Sequence, residues 1–397
     1  MSMFPLNALN FFMADVRDGL GPFLGVFLQQ QGWAVDDIGF VMTLSGLIAV
    51  IFTTPIGVLV DAVRAKRAII IFSSLTIMVT CAINYFYPTH VTTTIAQVLA
   101  AIAGASIPPA ITGITLGIVG KDRFDHQLGQ NESYSHAGNA FSALMAGGFS
   151  FYYGLSAVFA LMGLWTLLSI VAVLLIRRNQ IDYNQSRGLT MSDKSPQSIK
   201  CLLTNKGLII LAVTVVFFHL ANAAMLPLLS QSMVANGSIE RPGWYTAMTV
   251  IIAQMTMIPM ALYAAHVSEK KGYSLIFIIA LVALPIRGLL AGLIPHPAII
   301  IPVQILDGIA AGLMGVAVPG LVARILNGTG RFNTGFAMVL TLQGVGAALS
   351  SSVAGVMAKF FNYDIAFLVL SSLAVIGLLV WLFFTSFMMR YNTKNST

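Results

Sequence analysis

Charge is scarce in this sequence. Lysine, arginine, aspartate and glutamate together make up 9% of its 397 residues, against roughly a quarter in an ordinary soluble domain. So few charges cannot cover a water-facing surface, which excludes a soluble globular protein. Cysteine is scarcer still: Cys81 and Cys201 are the only two, too few and too separated for a disulfide framework or a thiolate metal site. Period-two alternation is missing from the apolar stretches, and its absence excludes a membrane β-barrel.

What the chain has instead is hydrophobic residues, 57% of the total. They fall into runs of about 20 residues, the length that crosses a hydrocarbon core of roughly 30 Å. Twelve such runs follow one another: 4–29, 38–60, 68–87, 93–118, 131–153, 155–176, 207–230, 244–266, 274–294, 298–322, 334–359 and 364–388. Each satisfies its backbone internally only as a helix. The expectation is an all-α membrane protein of twelve transmembrane helices, with the bilayer as a further partner. The first run lacks a basic flank and holds Asp15, Arg17 and Asp18, so it is expected to be a span and not a cleaved signal peptide.

The net charge of +7 raises the question of nucleic acid, but the positions of the cations answer it. With both termini cytoplasmic, the inner loops collect 17 of the 21 lysines and arginines, from Arg64 to Lys394, while only Arg241 and Lys359 lie on the other side. That is the positive-inside rule for a cytoplasmic membrane, so inner-membrane placement is expected and nucleic acid is not.

The longest polar stretch, at 177–200, divides six runs from six. Laid over one another at an offset of 206 to 208, the halves bring Phe11-Phe12 onto Phe217-Phe218, Gln97 onto Gln304, and Arg123-Phe124 onto Arg331-Phe332. The expected organisation is two pseudo-symmetric six-helix bundles, 1–176 and 207–397, joined by a cytoplasmic linker at 177–206. Parallel repeats of this kind place a solute site between halves that rock against each other. The loop after the second run reads GVLVDAVRAKR, with Gly57, Asp61, Arg64, Lys66 and Arg67. It is similar to the Gly-x-x-x-Asp-x-x-x-x-Arg/Lys-Arg/Lys loop of the major facilitator superfamily, and twelve spans in a six-plus-six repeat extend the resemblance over nearly the whole chain.

That resemblance implies a secondary transporter working by alternating access, monomeric, without cofactor, metal or catalytic residue. In physical terms the loop is a reversible latch: Gly57 lets two helices approach closely, and Asp61 can pair with a cation or a helix N-terminus. The corresponding loop of the second half, AAHVSEKKGYS, keeps Glu269, Lys270, Lys271 and Gly272 without the Gly-x-x-x-Asp core. Glu132 and His136, four apart in GQNESYSHAGNAFSA, share a helix face and are expected to belong to the same cytoplasmic gate.

Ionisable residues within the spans are costly, roughly 2.5–3.5 kcal/mol each on insertion scales, and mark function by default. Asp15, Arg17 and Asp18 in the first run, His219 and Asn222 in the seventh, Arg287 in the ninth and Asp307 in the tenth are therefore the candidate coupling and solute residues. The carboxylates are suited either to proton binding or to a fixed pair with Arg17; Arg287 either to an anionic solute group or to a pair with Asp307. Three acids against two arginines and a histidine suit a small polar or amphipathic organic solute better than a bare ion. A membrane-embedded enzyme of acyltransferase type and a non-transporting receptor are the alternatives, and no compact nucleophile–base motif supports the first.

Overall fold

The computed structural model describes residues 3–18, 20, 24–25, 27–28, 31–33, 35–189, 196–236 and 242–391. They form helices and connecting turns, with no strand among the described residues. The long helices are α1 (Phe4–Asp18), α2 (Val35–Ala62), α3 (Lys66–Phe86), α4 (His90–Tyr153), α5 (Ser156–Leu175), α6 (Lys206–Asn222), α7 (Met225–Ala235), α8 (Pro242–Lys271), α9 (Ser274–Leu293), α10 (Ile300–Ile325), α11 (Phe332–Phe360) and α12 (Tyr363–Phe383). Ten stretches among the described residues are long and apolar enough to cross a membrane. One of them spans two of the twelve apolar runs, so the ten stretches account for eleven runs; the first run is described only in part, and α1 is its described helix.

Local chemistry sets the helix ends. Asn205 and Asn362 each accept a backbone N–H in the first turn of α6 and α12, and Thr89 with Thr92 forms a capping box at the start of α4. Such caps replace partners that the first four N–H groups of a helix otherwise lack. The segment 119–130, which composition marks as a loop, is helical except at Gly120. There the backbone turns to φ 67°, a left-handed conformation that glycine adopts without steric penalty, and α4 is two helices meeting at that kink.

The chain divides into two compact units, and each takes in a segment from the opposite half of the sequence. Unit one holds residues 1–124, 134–197 and 327–338; unit two holds 125–133, 198–326 and 339–397. In unit one α1 and α3 pack on α5, around buried side chains such as Leu9, Val16, Val60, Ile70 and Val173. In unit two α8 packs on α10, α9 on α10 and α12, and α12 on α6. Many large apolar side chains point outward, among them Ile51, Phe72, Leu144 and Phe383, as lipid-facing surfaces require.

Since lipid is as apolar as leucine, such helices are held together by close packing and small residues. One crossing in each unit makes the point. In unit one a Cβ on Gly57 would lie 2.4 Å from the Cβ of Ala337; in unit two a Cβ on Gly129 would lie 2.4 Å from that of Ala265. An offset of 208 carries Gly57 onto Ala265 and Gly129 onto Ala337. The two crossings are pseudo-equivalents with glycine and alanine exchanged.

Candidate functional site

Asp61 ends α2 and has no exposed surface. Its carboxylate accepts the backbone N–H groups of Asn333 (3.2 Å) and Thr334 (2.8 Å), the Asn333 side-chain amide (2.7 Å) and the Thr334 hydroxyl. Asn333 and Thr334 open α11, so the partner of Asp61 is a helix N-terminus, where aligned N–H dipoles favour an anion. The Asn333 amide also donates to the carbonyl of Ser186 at 2.8 Å. Lys66, buried beside it, donates to the Val60 carbonyl and lies within electrostatic reach of Asp61. Arg67 donates to the carbonyls of Val173 and Leu174, both at 3.1 Å, at the end of α5.

The linker joins this arrangement. The guanidinium groups of Arg64 and Arg187 each stand 5.0 Å from the ring centroid of Tyr183, whose hydroxyl donates to the Ala62 carbonyl at 3.0 Å. Backbone bonds run from Asp182 to Gly117 (2.9 Å), from Gly328 to Gly188 (2.7 Å) and from Gln197 to Thr329 (2.9 Å). Gly57, Asp61 and Lys66 are thus gathered in unit one at the start of α11, Arg64 is joined to them through Tyr183 of the linker, and Arg67 is held at the end of α5.

In unit two the pseudo-equivalents of Asp61, Asn333 and Thr334 are Glu269, Asp125 and His126 at the same offset of 208. Glu269 faces His126 at 3.8 Å, a partly exposed pair of a kind worth little by itself. Asp125 turns instead to Arg324, which also donates to the Ser268 carbonyl at 3.2 Å, and accepts the Tyr273 hydroxyl. Burial and the neighbouring Asp125 carboxylate hold the Tyr273 phenol well above its usual pKa, so it remains a donor. Glu132 meets α10 at Gly315, within 3.0 Å of where a Cβ would stand. His136, on the same helix, is half-buried in unit one.

Deeper in unit two, Arg287 of α9 is wholly buried and pairs with Asp307 of α10 at 2.9 Å. The same nitrogen, Nη1, donates to the Asn222 side chain of α6. Among the described residues, Nε and Nη2 of Arg287 and both polar atoms of the Gln304 amide lack a hydrogen-bond partner. His219, one turn before Asn222, places Nδ1 3.1 Å from the Val215 carbonyl. Arg287, Asp307 and Asn222 are therefore brought together, with Gln304 beside Asp307 on the same helix.

On α1, Asp15 is half-buried and lies within electrostatic reach of Cys81 on α3. The side chains of Arg17 and Asp18 lie outside the described residues. Cys81 lines a cavity of 390 Å³ inside unit one. No cluster of three metal-ligating side chains occurs among the described residues.

A profile of the Major Facilitator Superfamily matches residues 4–302. The chain belongs to that superfamily. It is thus a multi-pass membrane transporter and not an enzyme. An MFS-type transporter of Mycobacterium tuberculosis, found in both the H37Rv and CDC 1551 strains, is 35% identical over 382 residues, covering 95% of this chain and 91% of the relative. Superfamily structures agree in fold. FucP in its outward conformation superposes with a TM-score of 0.77 at 12% identity, over 96% of this chain and 98% of FucP. The human organic anion transporter MFSD10 superposes with a TM-score of 0.70 at 13% identity, over 95% and 97% of the two chains.

Sequence reasoning missed Asn333, Thr334, Asp125, Tyr273 and Gln304 as site residues, and read Arg324 only as a topology signal. A signal existed for some of them. The offset that lays Arg123-Phe124 on Arg331-Phe332 carries Asp125 onto Asn333, and Gln304 is the repeat-mate of Gln97. Tyr273 and Arg324 have no such mark.

Proposed function

We propose that this transporter moves a small polar or amphipathic organic solute across the inner membrane by alternating access, driven by protons, as a monomer with both termini cytoplasmic. The two six-helix halves, 1–176 and 207–397, are the moving bodies in this reading, and the linker at 177–206 joins them. Arg287 carries the proposal. A buried arginine that spends one nitrogen on Asp307 and Asn222 keeps Nε and Nη2 in reserve, a fork suited to a carboxylate or other oxygen-rich group. The Gln304 amide adds a donor and an acceptor, and His219 and Asn222 complete the polar wall.

Coupling is assigned to Asp15 and Asp18, because a carboxyl partly withdrawn from water can load and release a proton near neutral pH. Asp61, with Gly57, Arg64, Lys66 and Arg67, and with Glu132 and His136, forms the cytoplasmic gate that opens and closes in each cycle. Two superfamily neighbours are described as a fucose:proton symporter, from Escherichia coli, and an organic anion transporter. Both descriptions are compatible with this reading.

The test is uptake into proteoliposomes under an imposed pH gradient, with sugars, amino acids and organic anions offered in turn. Wild-type protein is expected to accumulate one class above equilibrium. Asp15→Asn and Asp18→Asn should abolish the accumulation while leaving expression and folding intact. Wild-type accumulation in both variants would remove their coupling role, and uptake indifferent to the gradient would remove the proton.

A further inference from the structure

The cavity of 390 Å³ in unit one is walled by α2, α3 and α4, and Leu20, Leu24 and Met162 add to its lining. Its size falls within the range of small-molecule sites, roughly 300–1,000 Å³. Small residues make the room: Gly46, Ala49, Ala100, Ala101, Gly104 and Ala105. Leu20, Leu24, Met42, Ile77 and Met162 supply apolar surface, and Ser45, Thr80, Asn84 and Gln97 supply polarity. No charged side chain lines it among the described residues.

The polar groups are biased toward accepting. The Ser45 and Thr80 hydroxyls already donate to the carbonyls of Met42 and Ile77, both at 2.9 Å, which leaves their oxygens as acceptors. Asn84 is 1% exposed, and its Oδ1 has no hydrogen-bond partner. An acceptor buried in this way calls for a donor from a guest or a water. An anion would meet acceptors on the walls and feel Asp15 beyond Cys81, while a cation would lose its hydration with no carboxylate to replace it.

We propose that this cavity is a binding pocket for a neutral, small amphipathic molecule bearing a hydroxyl or amide group. The donor of the guest bonds Asn84 Oδ1, Gln97 can both give and accept, and the alkyl part lies against Leu20, Leu24, Met42 and Met162. The pocket sits inside one unit and includes none of the residues assigned to coupling, solute binding or the gate. Its occupancy is therefore readable with no gradient and no transport, and its failure is separable from that of the transport reading.

Hexanamide and 1,2-hexanediol are the probes, with sodium hexanoate as the charged control of equal chain length. In detergent-purified protein the neutral probes are expected to raise the melting temperature by several degrees, since a ligand that binds only the folded state stabilises it. Hexanoate should not. Ala101→Phe, which fills the pocket, and Asn84→Leu, which removes the acceptor, should cancel the shift. Should either variant fold poorly, Cys81 reports on the native pocket. In a Cys201→Ser background, hexanamide at about ten times its dissociation constant is expected to slow alkylation of Cys81 by a small neutral maleimide about tenfold. An equal shift in Ala101→Phe, an equal shift with hexanoate, or neither shift nor protection up to probe solubility overturns the proposal. The last of these would mean that water alone fills the cavity.

Discussion

A guanidinium taken fully out of water must be compensated, and Arg287 is compensated on one side only, by Asp307 and Asn222. Removing one member of such a pair strands the other charge in the bundle, which costs about 3–5 kcal/mol, whereas replacing both by apolar groups of similar volume is often neutral. Arg287→Met and Asp307→Leu are therefore each expected to lower the melting temperature of the purified protein sharply, and the double variant to return close to wild type. If the double variant proves as unstable as the two single losses added together, the pair is not acting as a unit. Transport should stay lost in the double variant, because recovered stability does not restore the spare donors of Arg287. At this scale the sequence was partly legible. Charges inside apolar runs drew attention to Arg287 and Asp307, since few residue types can be so placed without reason, and the structure pairs the two. The partners of Asp61 were harder to read: two of its four donors are backbone N–H groups of Asn333 and Thr334, and every residue but proline carries one. Asp125 was hidden for another reason. It lies in a polar segment, where a carboxylate costs nothing, and only its contacts with Arg324 and Tyr273 set it apart.

Among elements, the recurring unit is a helix crossing close enough to exclude a side chain from one partner. Gly57 against Ala337 and Gly129 against Ala265 use the same separation with the roles exchanged, so either helix of the pair can supply the glycine. Gly57→Ala should force α2 and α11 apart and destabilise unit one by about 1–3 kcal/mol, the usual range for overpacking. Adding Ala337→Gly reproduces the order found in unit two and is expected to recover part of that loss. Recovery stays partial because the Asn333 carbonyl, 2.8 Å from the new Cβ, is still close. Thermal unfolding of the two variants reads the effect; an unaltered single variant, or a double variant no better than the single, would show that the contact is not tight. Helix positions were legible from apolar runs because lipid imposes them. The helix through 121–130 was not, since a polar helix beyond the apolar layer has the composition of a loop. Nor was the tie between the linker and residues 327–331, which consists of backbone bonds such as Gly328 to Gly188 and of the Arg331 bond to the Gln197 carbonyl.

For the whole molecule, alternating access requires contacts that hold firmly in one state and release in another. The Asp61 cluster fits that requirement better than a hydrophobic seam would. Its bonds are directional and charge-assisted, yet water can replace each of them once the helix ends part. Tying α2 to α11 covalently therefore discriminates between a latch that cycles and a structural joint that never opens. In a background with both native cysteines replaced, Gly57→Cys with Ala337→Cys places two thiols at a crossing where a Cβ on residue 57 would lie 2.4 Å from that of residue 337; a spread to about 3.8 Å is enough for a disulfide. Under oxidising conditions the protein is expected to fold, bind its solute and fail to move it across the proteoliposome membrane. Reduction should restore turnover, which separates a lock from damage caused by the substitutions. If oxidised protein with a fully formed bridge transports at the reduced rate, residues 57 and 337 need not separate in the cycle, and Asp61 is a fixed brace between α2 and α11.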